Sequence, residues 1–273
     1  MAVSIATPAR LHVTTKGNGR PVILIHGWPL SGAAWEGQVD ALAGAGFQVI
    51  TYDRCGFGDS DKPAGSFDYN TLAGDLAKLI EDQELQDVTL VGFSMGGGEV
   101  ARYVGLFGED RLHSVVFAAS VTPFMLKTAD NPDGPLTPEK AAESEAALKA
   151  DRTSFFDSFA TGFFSAGDRL MVSEKERQKA IALCHKSNQA AAEACMRSFG
   201  GTDFRKDLAK ITVPTLVIHG DADGIVDFDG SGKRTHAAIA HSDLVIIEGA
   251  PHGMNVSHAE EFNAALVLFL KEL

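Results

Sequence analysis

The sequence has little of what marks secreted, membrane-spanning or nucleic-acid-binding proteins. Its three cysteines cannot all pair in disulfides, and their spacing does not resemble a zinc site. No apolar run approaches the length that crosses a bilayer, and the N-terminus lacks the basic start and apolar stretch of a signal peptide. The net charge of −12 repels phosphate backbones and anionic lipids. We therefore expect a cytoplasmic protein with reduced thiols and no metal, nucleic-acid or membrane partner.

The composition is that of an ordinary globular protein. Hydrophobic residues make up 45% of the chain and charged residues 22%, and 273 residues can form one domain with a buried sheet. Short apolar or β-branched runs alternate with helical patterns, which predicts a parallel β-sheet with right-handed helical crossovers. The predicted strands lie at 21–27, 47–53, 88–93, 113–120, 215–220 and 244–249.

Residues 121–208 break this alternation. They begin with a segment rich in Pro and Gly and continue with Ala-, Glu- and Lys-rich stretches of helical character, without a convincing strand. We interpret them as a helical insertion between two strands of the sheet. The predicted organisation is therefore a core formed by 1–120 and 209–273, with a helical cap at 121–208.

Residues Gly92 to Gly96 form a G-x-S-x-G motif with Ser94 at its centre. A predicted strand precedes this motif and a helical pattern follows it, which is the context that gives the motif meaning. A sharp strand-to-helix turn needs glycines on both sides of the serine, where side chains would clash. The turn also places Ser94 at a helix N-terminus, where free N–H groups favour negative charge. We predict that Ser94 is a nucleophile rather than an incidental serine.

A serine hydroxyl needs a base within hydrogen-bond reach before it acts as a nucleophile. Among nine histidines, His252 follows a predicted strand and precedes the last helix, at the sheet end expected for the serine. His258 falls at the start of that helix, where a capping or surface role is the better interpretation. His236 and His241 lie in an amphipathic helical stretch. We therefore predict His252 as the base.

The base in turn needs an acid that orients it, which in this architecture falls between the serine and the histidine in chain order. The run TLVIHGDADGIV offers Asp221 and Asp223, with Asp227 a little further on. Asp221 directly follows a glycine and is placed to tighten the turn. Asp223 lies further out, where it is placed to accept from an imidazole. The residues alone favour Asp223 and leave Asp221 open.

Acyl transfer also requires N–H donors that point at the tetrahedral oxyanion. One donor is expected to be the backbone N–H of Met95, the residue after the nucleophile. The second is expected from the loop HGWPLSG, with Trp28 as the donor. The alternative for Trp28 is a packing residue.

Three phenylalanines in the predicted cap, Phe155, Phe159 and Phe163, are spaced four residues apart and share one helical face. We predict that some of these rings, together with Phe124 and Phe199, line an apolar acyl or aryl pocket. The alternative is packing between the cap and the sheet.

Seven segments together make the chain resemble a known family. They are His26-Gly-Trp-Pro-Leu-Ser-Gly, Thr51-Tyr-Asp-Arg, Gly56-Phe-Gly-Asp-Ser, the run from Gly92 to Tyr103, Thr202-Asp-Phe-Arg, His219-Gly-Asp-Ala-Asp and Gly249-Ala-Pro-His-Gly. In combination they resemble the cofactor-free (non-haem) haloperoxidases, a group that includes bacterial aryl esterases, perhydrolases and some γ-lactamases. The resemblance covers essentially the whole chain from about residue 20.

The resemblance implies an α/β-hydrolase fold, with a mostly parallel eight-stranded sheet flanked by helices and a helical cap. It carries the catalytic triad to Ser94, Asp223 and His252, and the oxyanion donors to Trp28 and Met95. It implies no cofactor. Related members often self-associate, so a homo-oligomer is a further expectation.

The same resemblance implies hydrolysis of carboxylic, mainly aryl, esters through an acyl-serine intermediate. Hydrogen peroxide in place of water releases the acyl group as a peracid, which oxidises halide without haem or metal. The expected partners are small-molecule esters, lactams or carboxylic acids, with hydrogen peroxide as a candidate co-substrate. The alternatives are a γ-lactamase or amidase with the same triad, a lyase that forms no acyl-enzyme, and a non-catalytic small-ligand receptor.

Three positions bear on specificity within this family. Pro29 resembles the members with stronger perhydrolysis, and proline biases the preceding residue toward an extended backbone, so we expect it to pin the oxyanion loop. An ordinary loop proline is the alternative. Cys55 stands where the family usually has arginine, and Asp227 where it usually has proline. Neither position is part of the predicted triad.

Overall fold

A seven-stranded β-sheet lies at the centre of the computed structural model, which describes residues 10–62 and 65–273. Together with a separate two-stranded hairpin, the strands are β1 (His12–Lys16), β2 (Pro21–Ile25), β3 (Gln48–Asp53), β4 (Val88–Phe93), β5 (Leu112–Ala118), β6 (Ser165–Ala166), β7 (Arg169–Leu170), β8 (Thr215–Gly220) and β9 (Ser242–Ile247). The order in the large sheet is β1-β3-β2-β4-β5-β8-β9. Only β1 pairs antiparallel there, with β3.

Helices flank this sheet and connect its parallel strands. They are α1 (Glu36–Gly44), α2 (Tyr69–Asp82), α3 (Met95–Phe107), α4 (Pro138–Ala150), α5 (Arg152–Phe163), α6 (Glu174–Lys186), α7 (Gln189–Gly201), α8 (Arg205–Leu208), α9 (Gly232–Ala238), α10 (Met254–Ser257) and α11 (Ala259–Glu272). A short 3₁₀ helix at Gly32–Trp35 precedes α1. None of the helices in the described residues has the length and apolar composition needed to span a membrane.

The sheet confirms the predicted alternation of parallel strands and helices, and each predicted strand has a counterpart. The described residues contribute seven strands to it rather than the expected eight, because a single strand, β1, precedes the parallel ones. Residues 1–9 lie outside the described range. Sequence reasoning missed β1 because it is a largely exposed edge strand without an apolar run. The buried strands β4 and β8 are apolar along their length, as expected for a parallel sheet covered on both faces.

Five helices, α4 to α8, and the β6–β7 hairpin occupy the chain between β5 and β8. Each of the four longer helices, α4 to α7, begins after a residue whose side chain accepts a hydrogen bond from a first-turn N–H, an N-cap worth about 1 kcal/mol. The four capping residues are Thr137, Asp151, Ser173 and Asn188. The helix boundaries in this segment are therefore set locally by the sequence.

Candidate active site

Ser94 occupies a strained turn between β4 and α3. Its backbone has φ +54° and ψ −117°, in the left-handed half of conformational space that residues with side chains rarely adopt. A Cβ on Gly92 would lie 2.5 Å from the carbonyl oxygen of Gly96, and a Cβ on Gly96 would lie 2.4 Å from the carbonyl oxygen of Ile25. The two glycines of the motif are therefore required by the close approach of neighbouring backbone.

The structure brings Ser94, His252 and Asp223 into one hydrogen-bonded series. His252 Nε2 lies 2.9 Å from Ser94 Oγ, and His252 Nδ1 lies 2.7 Å from Asp223 Oδ2. All three side chains are buried. They follow β4, β9 and β8 respectively, and the carboxyl ends of parallel strands meet at one edge of the sheet, where such folds bind ligands. A buried imidazole between a hydroxyl and a carboxylate is arranged to remove the hydroxyl proton.

Asp223 is held as a carboxylate. Its Oδ1 accepts hydrogen bonds from the backbone N–H groups of Ile225 and Val226, at 2.9 and 2.8 Å. Burial alone would raise the pKa of Asp223, but His252 and a hydrogen bond from His219 outweigh it and hold that pKa well below its usual range. The carboxylate is therefore ionised at neutral pH, as an acceptor for the imidazole must be.

The two other aspartates of this region have structural partners of their own. Asp221 Oδ1 accepts from the backbone N–H of Gly249 at 2.6 Å, which ties the loop after β8 to the loop after β9. Asp227 Oδ2 accepts from the backbone N–H of Gly230 at 2.8 Å. Asp227 also lines the cavity that contains Ser94, so it adds a carboxylate to that cavity.

The loop after β2 lies directly against Ser94. A Cβ on Gly27 would lie 3.2 Å from Ser94 Cβ, and the N–H of Leu30 donates to the Gly27 carbonyl at 3.1 Å. Within residues 10–62 and 65–273, neither the Trp28 nor the Met95 backbone N–H has an acceptor. Two free donors near a serine hydroxyl are what an oxyanion hole requires.

The side chain of Trp28 packs while its amide stays free. Its Nε1–H donates to the carbonyl oxygen of Ala192 at 2.9 Å, and the indole makes edge contacts with several phenylalanines. The rings in contact with it are Phe155, Phe156, Phe159 and Phe199. The peptide bond between Trp28 and Pro29 is cis.

A cavity of about 690 Å³ opens above Ser94 and His252. Three of the predicted pocket rings, Phe155, Phe159 and Phe199, line it. Its other walls include Trp28, Val121, Met125, Leu126, Leu136, Met196, Ile225 and Val226. The cavity is thus mainly apolar, with the serine, the imidazole and the carboxylate at one place in its wall.

Pro29, Phe124 and Phe163 do not line this cavity. Phe163 is buried at the end of α5, where its ring contacts the His252 imidazole edge-on with 5.1 Å between centroids. Phe124 lies beneath the guanidinium of Arg205. Four-residue spacing does place the Phe163 ring beside Phe159, but Phe93, Phe164 and His252 surround that ring and bury it.

A buried ion pair beneath the site was not foreseen from the sequence. Arg54 Nε donates to Glu99 Oε1 at 2.6 Å, and Tyr52 Oη donates to Glu99 Oε2 at 2.7 Å. Both charged side chains are about 1% exposed. Burial would lower the pKa of the Arg54 guanidinium, but the Glu99 carboxylate outweighs it and the pKa lies above its ordinary value. Arg54 belongs to the segment Thr51-Tyr-Asp-Arg, for which the sequence indicated a family resemblance but no structural role.

This ion pair joins α3, which follows Ser94, to the loop after β2. Arg54 Nη2 donates to the carbonyl oxygen of His26 at 2.8 Å, and the Arg54 backbone N–H donates to His26 Nε2 at 2.9 Å. Burial and the adjacent Arg54 charge lower the pKa of His26, so its ring accepts this bond in the neutral form. Glu99 belongs to α3, which begins just after Ser94. The pair therefore connects the two segments that contain the free N–H donors of Trp28 and Met95.

Asp75 in α2 lies near the Glu99 carboxylate and should make the stability of the protein depend on pH. Burial, and secondarily the Glu99 charge, raise the pKa of Asp75 to about 6. Folding raises the pKa of this carboxyl group, so its protonated form stabilises the folded state. This stabilisation is complete only below the pKa that the group has in the unfolded chain, and it is lost as the pH rises toward 6. We expect Asp75→Asn to stabilise the protein by about 1–2 kcal/mol more at pH 8 than at pH 4, by urea unfolding.

The exposed Asp82 of the same helix is the control for this experiment. It forms an ion pair with Lys78 at 2.7 Å, and both side chains are more than half exposed. Asp82→Asn should change the stability by less than about 0.5 kcal/mol at either pH. An Asp75→Asn effect that did not vary with pH would contradict the assignment.

One group of side chains in the described residues has the spacing of metal ligands. Ligand atoms of His12, Asp53 and Asp59 lie within 4.8 Å of one another. Asp53 already accepts from the backbone N–H groups of Gly32 and Asp59, at 2.7 and 2.8 Å. None of the three lines the cavity above Ser94. The Asp53 carboxylate therefore has a structural role in the loop after β3.

Comparison with known proteins agrees with this geometry. A family model described as "alpha/beta hydrolase fold" matches residues 20–259. The non-heme chloroperoxidase CPO-A1 of Kitasatospora aureofaciens is 40% identical, over 94% of this chain and 94% of its own. A bifunctional esterase/perhydrolase of Acinetobacter calcoaceticus is 34% identical, over 92% of each chain.

Solved structures give the same answer. A bromoperoxidase from Bacillus anthracis superposes with a TM-score of 0.96 at 50% identity, covering 97% of each chain. An esterase from Exiguobacterium antarcticum superposes with a TM-score of 0.91 at 32% identity, covering 96% of each. The chain therefore belongs to the α/β-hydrolase family and, within it, to the group of cofactor-free (non-haem) haloperoxidases, esterases and perhydrolases.

Proposed function

We propose that the chain hydrolyses small carboxylic esters through an acyl intermediate on Ser94, and that hydrogen peroxide replaces water as the acyl acceptor when it is present. The observation that carries this proposal is the unbroken series from Ser94 Oγ through His252 to Asp223 in the wall of an apolar cavity. The names of the relatives, chloroperoxidase and esterase/perhydrolase, support the same chemistry.

Acylation begins when Ser94 Oγ attacks the ester carbonyl carbon and its proton moves to His252 Nε2. The carbonyl oxygen becomes an oxyanion, which the N–H groups of Trp28 and Met95 stabilise; each such donor is worth about 3 kcal/mol. The Asp223 carboxylate stabilises the imidazolium that forms. The C–O bond to the leaving group then breaks, and His252 returns the proton to the departing alkoxide, which leaves as the alcohol.

Deacylation repeats these steps with a different nucleophile. His252 takes a proton from water, the resulting hydroxide oxygen bonds to the acyl carbon, and Ser94 Oγ leaves with the proton from His252. The product is a carboxylic acid. With hydrogen peroxide the same proton transfers yield a peracid. The peracid then transfers one oxygen atom to a halide, giving hypohalite and the carboxylic acid, with no change in the redox state of the protein.

The walls of the cavity indicate the substrate class. Rings and aliphatic side chains surround the triad, so we propose esters with an apolar acyl group or an aryl group. Most of these walls come from residues 121–208, which we propose serve as the cap. None of the relatives named above is described as a lactamase, and we do not propose that activity. A non-catalytic receptor would have no need of two free N–H donors beside an activated serine.

The test is a panel of p-nitrophenyl esters assayed with and without hydrogen peroxide. We expect hydrolysis of aryl esters of short acyl groups, and peracid formation when peroxide is added. The Ser94→Ala variant should lose both reactions together, since both pass through the same acyl-serine. Peracid formation that persists in Ser94→Ala would contradict the proposal.

Pro29 should affect the choice between water and peroxide. Proline restricts the backbone of Trp28, whose N–H is one of the two oxyanion donors, so its replacement loosens the loop against Ser94. We expect Pro29→Leu to lower the ratio of perhydrolysis to hydrolysis about tenfold, corresponding to about 1.4 kcal/mol between two transition states. The ratio is measured from peracid and acid formed by one enzyme sample. An unchanged ratio would make Pro29 an ordinary loop residue.

A further inference from the structure

A second buried histidine, His219, contacts the carboxylate of Asp223. It is the penultimate residue of β8 and is fully buried. Its Nε2 lies 3.3 Å from Asp223 Oδ2 and 2.8 Å from the carbonyl oxygen of Val226. Both of these neighbours are acceptors, so the proton of the imidazole belongs on Nε2. The hydrogen bond goes to the carbonyl oxygen, and the same N–H lies beside the carboxylate.

The other side of the ring fixes its orientation. His219 Nδ1 has no hydrogen-bond partner within the described part of the chain. It faces the backbone of α9, where a Cβ on Gly232 would lie only 2.4 Å away. The ring of Phe228 packs against the imidazole with 5.5 Å between centroids. The ring is therefore enclosed on its Nδ1 side and directs its donor toward Asp223.

His219 completes the set of donors around the Asp223 carboxylate. Oδ1 accepts from two backbone N–H groups, and Oδ2 accepts from His252 and contacts His219. Without His219, the imidazole that Oδ2 must itself orient is the only N–H group beside this oxygen among the described residues. With His219 present, both oxygens have a neighbouring N–H that does not take part in proton transfer. The rotation of the carboxylate is then set before His252 binds to it.

We propose that His219 is a positioning residue, which holds Asp223 Oδ2 at the place where it orients His252 for proton transfer from Ser94. The inference rests on the proposed function, because it needs Asp223 and His252 to act as acid and base. His219 does not line the cavity above Ser94, so it acts through Asp223 and not by contact with substrate. Its removal should therefore affect the chemical steps and leave substrate binding in place.

Three substitutions of His219 distinguish the effect of its Nε2–H donor from that of the ring itself. His219→Gln keeps an N–H near the position of Nε2, His219→Asn carries its amide too far back to reach Asp223, and His219→Leu has no donor. Loss of one hydrogen bond to a charged group should lower kcat about ten- to a hundredfold in the Leu and Asn variants, with KM within about twofold. The Gln variant should recover most of the loss.

Two further measurements exclude a general loosening of the fold. Thr235→Val is the matched control, because Thr235 is fully buried in α9 and donates or accepts one hydrogen bond, with Thr122 Oγ1 at 2.9 Å, without contact to the triad. It should lose stability and keep kcat within about twofold. The downfield proton resonance of the His252–Asp223 hydrogen bond should shift in the Leu and Asn variants and return in the Gln variant.

The Asn and Gln variants of His219 give different expected results. Recovery of kcat and of the proton resonance in His219→Gln, but not in His219→Asn, supports the proposal, and this pair decides the matter even if His219→Leu does not fold. Wild-type kcat in His219→Asn, or equal losses in the Asn and Gln variants, would overturn it. A wild-type protein that cleaves no ester is a different result, which contradicts the proposed function and not the role of His219.

Discussion

Replacing Asp223 by asparagine should lower kcat for ester hydrolysis about 10⁴-fold while the protein stays folded. The amide nitrogen of asparagine can occupy the place of Oδ2, where it donates a hydrogen bond instead of accepting one. His252 Nδ1 must then act as the acceptor, so its proton moves to Nε2, the atom that faces Ser94 Oγ at 2.9 Å. An imidazole in that tautomer cannot remove the serine proton. The measurement is kcat on a p-nitrophenyl ester at saturating substrate.

Asp221→Asn is the matched control for this experiment. Asp221 lies two residues away and its carboxylate accepts from the backbone N–H of Gly249, so its role is to join two loops. We expect the Asp221 variant to lose some stability and to keep kcat within a few fold. Equal losses of kcat in the two variants would show that loop structure, and not the tautomer of His252, accounts for the effect.

Removal of the charge on Glu99 should be the most destabilising polar substitution beneath the site. Glu99→Gln leaves the Arg54 guanidinium buried without its counter-ion, and breaking a buried pair in this way costs about 3–5 kcal/mol. For a chain of this length the melting temperature should fall by about 10 °C. Thermal unfolding followed by circular dichroism measures this. Ester hydrolysis at low temperature should fall too, because the pair also holds the oxyanion loop against α3.

An exposed ion pair serves as the reference for Glu99. Glu143 pairs with Lys140 at 3.1 Å on the same helix, and both side chains are about two-thirds exposed. Glu143→Gln should change the free energy of unfolding by no more than about 1 kcal/mol, as for other surface pairs. Equal changes in the melting temperature of the two variants would contradict the claim that burial makes the Arg54–Glu99 pair critical.

The proximity of Ser94 and His252 could be predicted because each residue is marked by local sequence. Ser94 lies between two glycines that the turn requires, and His252 follows a recognisable strand. The choice of Asp223 over Asp221 needed the family resemblance, since both follow the same strand. Only distances distinguish them, because Asp223 contacts His252 while Asp221 contacts the backbone of the next loop.

Other features depend on contacts that no local pattern marks. Arg54 and Glu99 lie 45 residues apart, and a single charged residue in a strand end or in a helix gives no sign of its partner. The spacing of Phe159 and Phe163 predicts a shared helical face, but whether a ring lines a cavity or is buried depends on which rings from other elements cover it. The role proposed for His219 likewise follows only from the atoms around Asp223.

The most direct test of the account is the reaction of the protein with a fluorophosphonate, followed by intact mass and peptide mapping. We predict one adduct per chain, located on Ser94, with rapid loss of ester hydrolysis as it forms. Ser94→Ala should gain no adduct under the same conditions. A wild-type protein that stays unlabelled while it cleaves esters, or an adduct that forms equally on Ser94→Ala, would contradict the claim that Ser94 is the activated nucleophile.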